Sequence, residues 1–167
     1  SLGAGRWYGV AQAQGGKILV AAKYRGYTYT STDYGVTWKE NTAAGTNLWS
    51  SLAISEDGSN LVISNLNADP NTGKLYSSPD LGATLIEETG AGSANWRQVA
   101  MSTDGTKILV GQIDTGSIVF STDAGATWKV QTGAPMGFYY RLDITADGSK
   151  MIAGNSIPQT LVTGVVK

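Results

Sequence analysis

Aspartate, glutamate, arginine and tyrosine are the residues that could do chemistry in this chain, because the sequence contains neither cysteine nor histidine. Disulfides, thiolate or imidazole metal sites and histidine-based triads are therefore excluded. Three aspartates, Asp33, Asp80 and Asp123, occupy the same place in a recurring phrase, Ser-x-Asp-x-Gly-x-Thr. Such carboxylates could act as general acids or bases. They could also accept hydrogen bonds from their own turns, and we favour this structural interpretation.

The phrase is part of a long internal repeat. Its aspartates stand 47 and 43 residues apart, a period typical of arrays of small supersecondary units. In the second copy Leu85 replaces the closing tryptophan. The predicted structural residues are Ser31, Asp33, Gly35, Thr37, Trp38, Ser78, Asp80, Gly82, Thr84, Ser121, Asp123, Gly125, Thr127 and Trp128.

The other half of each unit predicts strands. An aromatic residue opens an apolar run, and in three of the four units an Asp-Gly pair follows, which is a strong hairpin signal, and then a second apolar run. Four short antiparallel strands in about 43 residues match one propeller blade. We therefore predict an all-β propeller of four blades in a single domain over residues 1–167. The repeats run approximately over 7–48, 49–95, 96–138 and 139–167, and the last lacks the aspartate phrase and its outer strand.

The phrase Ser-x-Asp-x-Gly-x-Thr-Trp resembles the Asp-box, or BNR repeat, of sialidase-like and other β-propellers. Copies one and three match it at every defined position, and copy two departs at Leu85. The resemblance implies that each box forms the turn between the third and fourth strands of a blade. It also implies that the boxes lie on the side away from the usual ligand face.

The resemblance does not extend to the sialidase catalytic set of three arginines, a tyrosine–glutamate pair and an acid/base aspartate. The segment from Tyr140 to Asp143 is only faintly similar to the sialidase Phe-Arg-Ile-Pro motif, and it lies in the last unit. Beside the leading aromatics stand Arg6, Arg97 and Arg141, which we expect to cap or stack on them, while Arg25 is the fourth arginine. Candidate carboxylates outside the repeated turns include Glu40, Glu56, Asp69, Glu87, Glu88 and Asp143. We expect no enzyme activity and no cofactor.

A metal site is considered at one loop. Asn65, Asn67, Asp69 and Asn71 alternate oxygen-bearing side chains that could surround Ca²⁺. The loop has one carboxylate, and its residues are ordinary turn formers. We therefore predict a turn and no metal.

Self-association is the first functional hypothesis. The fourth unit ends with a third strand around Thr160, Leu161, Val162 and Thr163, which would leave an open edge where another chain can pair. The chain could close as a small ring, assemble with its copies into a homo-oligomer or fibre, or be a fragment of a longer propeller. We favour a structural or assembly subunit whose fourth blade is completed by a neighbouring chain.

Recognition by the blade-connecting loops is the alternative. The loops over 41–48, 89–95 and 132–138 are small and polar, and Trp49, Trp96 and Tyr139 at their ends could stack glycans or hold a peptide. Those aromatics could equally fill the packing between blades.

Charge and hydropathy narrow the partners further. A net charge of −1 gives no reason to expect nucleic acid, and no apolar run is long enough to span a membrane. The resemblance and the absence of an initiator methionine suggest a secreted or cell-surface protein.

Overall fold

The computed structural model describes residues 2–67, 72–113, 116–156 and 159–166. Within these ranges the chain consists mainly of antiparallel strands, and two short 3₁₀ turns cover Gln14–Gly16 and Thr89–Ala91. The prediction of an all-β chain is confirmed. The strands fall into four consecutive groups, here named units 1 to 4, in which each strand pairs with the next one.

Units 1 to 3 each contain four strands. Unit 1 comprises β1 to β4, at Trp7–Ala13, Ile18–Gly26, Thr28–Ser31 and Lys39–Asn41. Unit 2 comprises β5 to β8, at Asn47–Ile54, Leu61–Leu66, Leu75–Ser78 and Ile86–Glu87. Unit 3 comprises β9 to β12, at Trp96–Met101, Ile108–Gln112, Ile118–Ser121 and Lys129–Val130. In the described part of unit 4 there are three strands, β13 to β15, at Tyr139–Ile144, Lys150–Ser156 and Gln159–Val165.

The turns follow from local backbone chemistry. Between the first and second strands of units 2 to 4, the Asp-Gly pairs place Gly58, Gly105 and Gly148 at φ of 79°, 73° and 66°, where a side chain would be strained. The fourth strands are very short, as in β12, which begins at Lys129. Thr127 does not join this strand, because its hydroxyl and amide bond to Asp123 inside the preceding turn.

Units 1 and 2 are joined along their strand ends. The last residues of β2 pair with the start of β5, through Tyr24 with Leu48 and Gly26 with Asn47. Arg25, between them, has a φ of 56° and bends the end of β2. The two units therefore form one continuous eight-stranded sheet, whereas units 3 and 4 are separate sheets.

Among the described residues the core is divided into three apolar clusters, each between two successive units. Val20 and Ala22 pack with Trp49 and Leu52, joining unit 1 to unit 2. The second cluster joins units 2 and 3 through Val62, Trp96 and Val99, and the third joins units 3 and 4 through Leu109, Tyr139 and Leu142. Each unit thus depends on its neighbour for burial, as in other repeat arrays. Across the described ranges, no helix has the length and apolar character needed to cross a membrane.

Candidate functional site

Each aspartate phrase closes on itself through the same hydrogen bonds. In the first copy the Ser31 hydroxyl donates to Asp33 Oδ1 at 2.7 Å, and the Gly35 amide donates to Ser31 Oγ at 2.9 Å. The Thr37 amide and hydroxyl donate to the two carboxylate oxygens of Asp33 at 2.9 and 2.6 Å. The phrases around Asp80 and Asp123 repeat these four bonds. Both oxygens of every carboxylate are therefore engaged in holding the turn.

The electrostatics of these turns also argue against acid catalysis. The hydroxyl and the amide of Thr37, together with the Ser31 hydroxyl, lower the pKa of Asp33 to about 2. Hydrogen bonds led by the threonine hydroxyl lower the pKa values of Asp80 and Asp123 in the same way. A general acid at neutral pH needs a pKa raised toward 7, so these carboxylates are suited to structure.

A second repeated aspartate turn lies between the first two strands of units 2 to 4. Ser55, Ser102 and Thr145 donate their hydroxyls to the aspartate two residues later, at 2.7, 2.6 and 2.6 Å. These bonds help to lower the pKa values of Asp57 and Asp147 to about 2, and that of Asp104 in the same direction. Sequence reasoning identified the Asp-Gly pairs but missed this hydroxyl, although it stands at a fixed distance before each pair.

The closing tryptophans differ in their contacts. Trp38 donates its indole N–H to the carbonyl of Gly35 within its own turn, at 3.1 Å. Trp128 instead donates to Glu88 Oε2 of unit 2, at 3.2 Å. Leu85, the residue in the second copy, packs against the cluster between units 1 and 2.

The three aromatics proposed as ligand-face residues are fully buried. Trp49, Trp96 and Tyr139 have at most 1% of their surface exposed, and each lies in a cluster between units. Trp49 donates its N–H to the carbonyl of Gly26 at 2.9 Å, and the Tyr139 hydroxyl donates to the carbonyl of Pro135. Because their ring faces contact protein, they cannot stack a ligand. The packing alternative accounts for them instead.

Most of the candidate free carboxylates have partners within the fold. Tyr29 donates to Glu40 at 2.7 Å, and Lys74 forms an ion pair with Glu87 at 2.6 Å. The amide of Gly15 donates to Glu56 across units 1 and 2 at 3.2 Å. Asp143 accepts the amide of its own neighbour, and Asp69 of the considered metal loop lies outside the described residues. In the described ranges no three acidic side chains gather as a metal site.

Of the three arginines predicted to stack on leading aromatics, Arg97 contacts aromatic rings, but not that of the adjacent Trp96. The Arg97 guanidinium lies 5.8 Å from the ring centroid of Tyr8 in unit 1 and 5.8 Å from that of Tyr140 in unit 4. Arg97 therefore links two other units instead of stacking on the adjacent Trp96. Arg141 donates to Gln98 Oε1 of unit 3 at 3.3 Å.

These side chains surround one cavity of about 310 Å³, lined by Trp7, Tyr8, Ser50, Arg97 and Arg141. Tyr8 also stacks on Tyr24, with ring centroids 4.7 Å apart. Sequence reasoning did not place a site here, because it assigned the arginines to their own units.

The predicted assembly edge forms one side of unit 4. In β15, Thr160, Leu161, Val162 and Thr163 pair in register with β14. Among the described residues no strand pairs with the other side of β15. Leu161 is 69% exposed at this edge.

Comparison with known proteins bears on the fold. The chain matches no protein-family model, and no curated protein matches it. A GH74 enzyme from Niastella koreensis superposes with a TM-score of 0.70 at 18% identity, covering 89% of this chain and 21% of that chain. The β-propeller domain of Cps50 (Swd1) from Myceliophteria thermophila gives 0.66 at 14% identity, covering 96% and 54%. The nidogen/laminin complex gives 0.74 at 11% identity, covering 95% and 59%.

The chain has a β-propeller fold. It spans between about a fifth and three fifths of the length of these propeller structures. Identities below a fifth carry the fold and nothing of the neighbours' activities.

Proposed function

We propose that this propeller is a non-catalytic, extracellular assembly subunit that associates with copies of itself. In this proposal units 1 to 4 are Asp-box blades, and the fourth is a blade without its outer strand. The four hydrogen bonds shared by the three aspartate phrases support the Asp-box assignment. The extracellular location rests on the resemblance of these phrases, and fractionation of the native source would test it.

The observation that carries self-association is an exposed face of unit 1. This face, here called the front of unit 1, contains Val10 and corresponds to the face that units 2 to 4 pack against the preceding unit. Val10 pairs with Ala21, just as Leu52 pairs with Ile63, Val99 with Val110 and Leu142 with Ala153. The three equivalents, Leu52, Val99 and Leu142, are 5%, 3% and 7% exposed, because each packs in the cluster shared with the preceding unit. Val10 is 73% exposed. Unit 1 thus presents, uncovered, a position that the repeat buries everywhere else.

Unit 4 also has an exposed face, here called the back of unit 4, which contains Ile152 and Leu161. It corresponds to the face that units 1 to 3 pack against the following unit. Ile152 occupies the register position of Val20, Val62 and Leu109 and is 42% exposed, whereas those three are buried against the following unit. Leu161 corresponds in the same way to Leu75 and Ile118, which are fully buried. The back of unit 4 and the front of unit 1 therefore offer the two halves of the interface that the chain forms three times internally.

The partner that we propose for these two faces is a second copy of the chain. Its unit 1 would pack on the back of unit 4, and a strand of that copy would pair with the open edge of β15. The contact is head-to-tail, so it generates a ring where the rotation closes and a fibre where it does not. Apolar side chains on both faces supply the driving force.

Sedimentation across a wide concentration range tests this proposal. We expect the wild type to form dimers or larger species and Leu161→Glu to remain monomeric. Ile86→Glu is the matched control, since Ile86 is 52% exposed on β8 and belongs to neither end face. A wild type that stays monomeric at millimolar concentration would refute self-association, as would equal effects of the two variants.

A further inference from the structure

The cavity beside Arg97 is formed by a repeated irregularity of the sheet. The register shifts immediately after the leading aromatic of β1, β5 and β13, and the ladder between β9 and β10 shifts at the same place. The residues at these four bulges are Tyr8, Ser50, Arg97 and Tyr140. A bulge turns a side chain away from its place in the regular pleat. Here it brings residues of four units together.

The side chains at this place are polar or aromatic and differ from unit to unit. Tyr8, Ser50 and Arg97 line the cavity directly, and the ring centroid of Tyr140 lies 5.8 Å from the Arg97 guanidinium. In unit 4 the residue that follows the bulge, Arg141, also lines the cavity. Two guanidinium groups thus line a cavity in which no lining residue carries a carboxylate.

The contacts of the two arginines leave most of their hydrogen-bond donors available. The tyrosine rings contact Arg97 through cation–π interactions, which leave the N–H groups at its edge free for an acceptor. Arg141 uses one nitrogen on the neutral Gln98 side chain. Among the described residues the ion pair is Lys74–Glu87, so neither arginine is neutralised by a salt bridge.

We propose that this cavity binds the oxyanion group, carboxylate or phosphate, of a small ligand. Guanidinium groups bind planar or tetrahedral oxyanions through charge-assisted, often bidentate, hydrogen bonds. The tyrosine contacts fix Arg97 before binding, which reduces the entropy lost on association. The volume of about 310 Å³ lies at the lower end of the range of about 300–1,000 Å³ for small-molecule pockets.

Titration of the protein by NMR at low ionic strength tests the site. The probes are inorganic phosphate, benzoate and benzamide, the last being the neutral counterpart of benzoate. We expect saturable shifts with one or both anions and none with benzamide, and the anion that binds identifies the ligand class. Arg97→Gln should weaken binding by about tenfold or more, since hydrogen bonds to charged groups are strong. Arg97→Lys should retain part of it, because it keeps the charge but loses the planar fork.

Lys39→Gln is the charge-matched control, because Lys39 lies on β4 and does not line the cavity. Arg141→Gln supplies a second variant on the exposed side of the cavity should Arg97→Gln fail to fold. The proposal is overturned if neither anion binds saturably to the wild type. It is equally overturned if Lys39→Gln weakens binding as much as the arginine variants do.

Discussion

Truncating one valine in two register-equivalent places separates a buried unit interface from an open one. Val99 and Val10 occupy the same position in β9 and β1, but 3% of Val99 and 73% of Val10 are exposed. Val99 packs among Val62, Trp96 and Ile108. Val99→Ala removes two buried methyl groups, each contributing about 0.8 kcal/mol by transfer from water. With the cavity left behind, we expect a loss of about 2–3 kcal/mol in the free energy of unfolding.

Val10→Ala should change that free energy by no more than about 0.5 kcal/mol, since its methyl groups remain in water. For a chain of this size the predicted loss in Val99→Ala corresponds to a fall in Tm of about 5–10 °C. Urea unfolding followed by tryptophan fluorescence and by circular dichroism gives both values. The measurement is made at low protein concentration, where the monomer dominates.

Concentration adds a second arm to this experiment. If a second copy covers Val10, the free energy of unfolding should rise with protein concentration less in Val10→Ala than in the wild type. The reason is that the variant weakens the association that stabilises the native state. Equal losses of stability for Val10→Ala and Val99→Ala in the dilute monomer would contradict this prediction. A neutral effect of Val99→Ala there would contradict it as well.

Three further outcomes follow from the turns. Asp80→Asn should lower Tm, because one amide oxygen cannot replace the two carboxylate oxygens that accept from Thr84; a variant with unchanged Tm in circular dichroism would contradict this. The stability that the aspartate turns contribute to the wild type should be retained above about pH 4 and be lost as pH falls through 2. The reason is that a carboxylate whose pKa is lowered in the folded state binds more protons in the unfolded chain. Urea midpoints that stay flat from pH 6 to pH 2 would contradict this. The carboxylates with pKa values of about 2 are Asp33, Asp57 and Asp147. Gly105→Ala should lower the free energy of unfolding in urea by more than Gly15→Ala does. Both glycines have a positive φ, which costs a substituted residue about 1 kcal/mol or more, but only at Gly105 would the new Cβ lie 2.8 Å from Ser55 Cβ. Equal losses for the two variants would contradict this.

The strand order could be predicted from the sequence because turn chemistry is local. Asp-Gly pairs and hydroxyl-bearing phrases carry their own hydrogen-bond partners within a few residues, so the position of each turn can be predicted from the sequence. The ends of the strands were harder to predict. Thr127 has a β-branched side chain suited to a strand, yet its hydroxyl and amide bond to Asp123, and β12 begins two residues later.

The candidate site could not be predicted because it depends on register. A leading aromatic such as Trp96 can face a ligand or a neighbouring unit, and its residue type fits both. The bulge that follows decides the outcome, since it sends Trp96 into the core and Arg97 toward Tyr8 and Tyr140. A bulge is a relation between two strands, and neither strand's sequence encodes it alone.

Four units in one chain serve as an internal comparison of structural and functional positions. Positions that recur with the same chemistry, such as the apolar residue at Leu52, Val99 and Leu142, are those that pack between successive units or close turns. The bulge position instead carries Tyr8, Ser50, Arg97 and Tyr140, which share no single packing role. A repeat that keeps its scaffold while varying one position around a common cavity is free to change what that position binds. The search for a ligand should therefore begin at the bulges, and the search for a partner at the two uncovered faces.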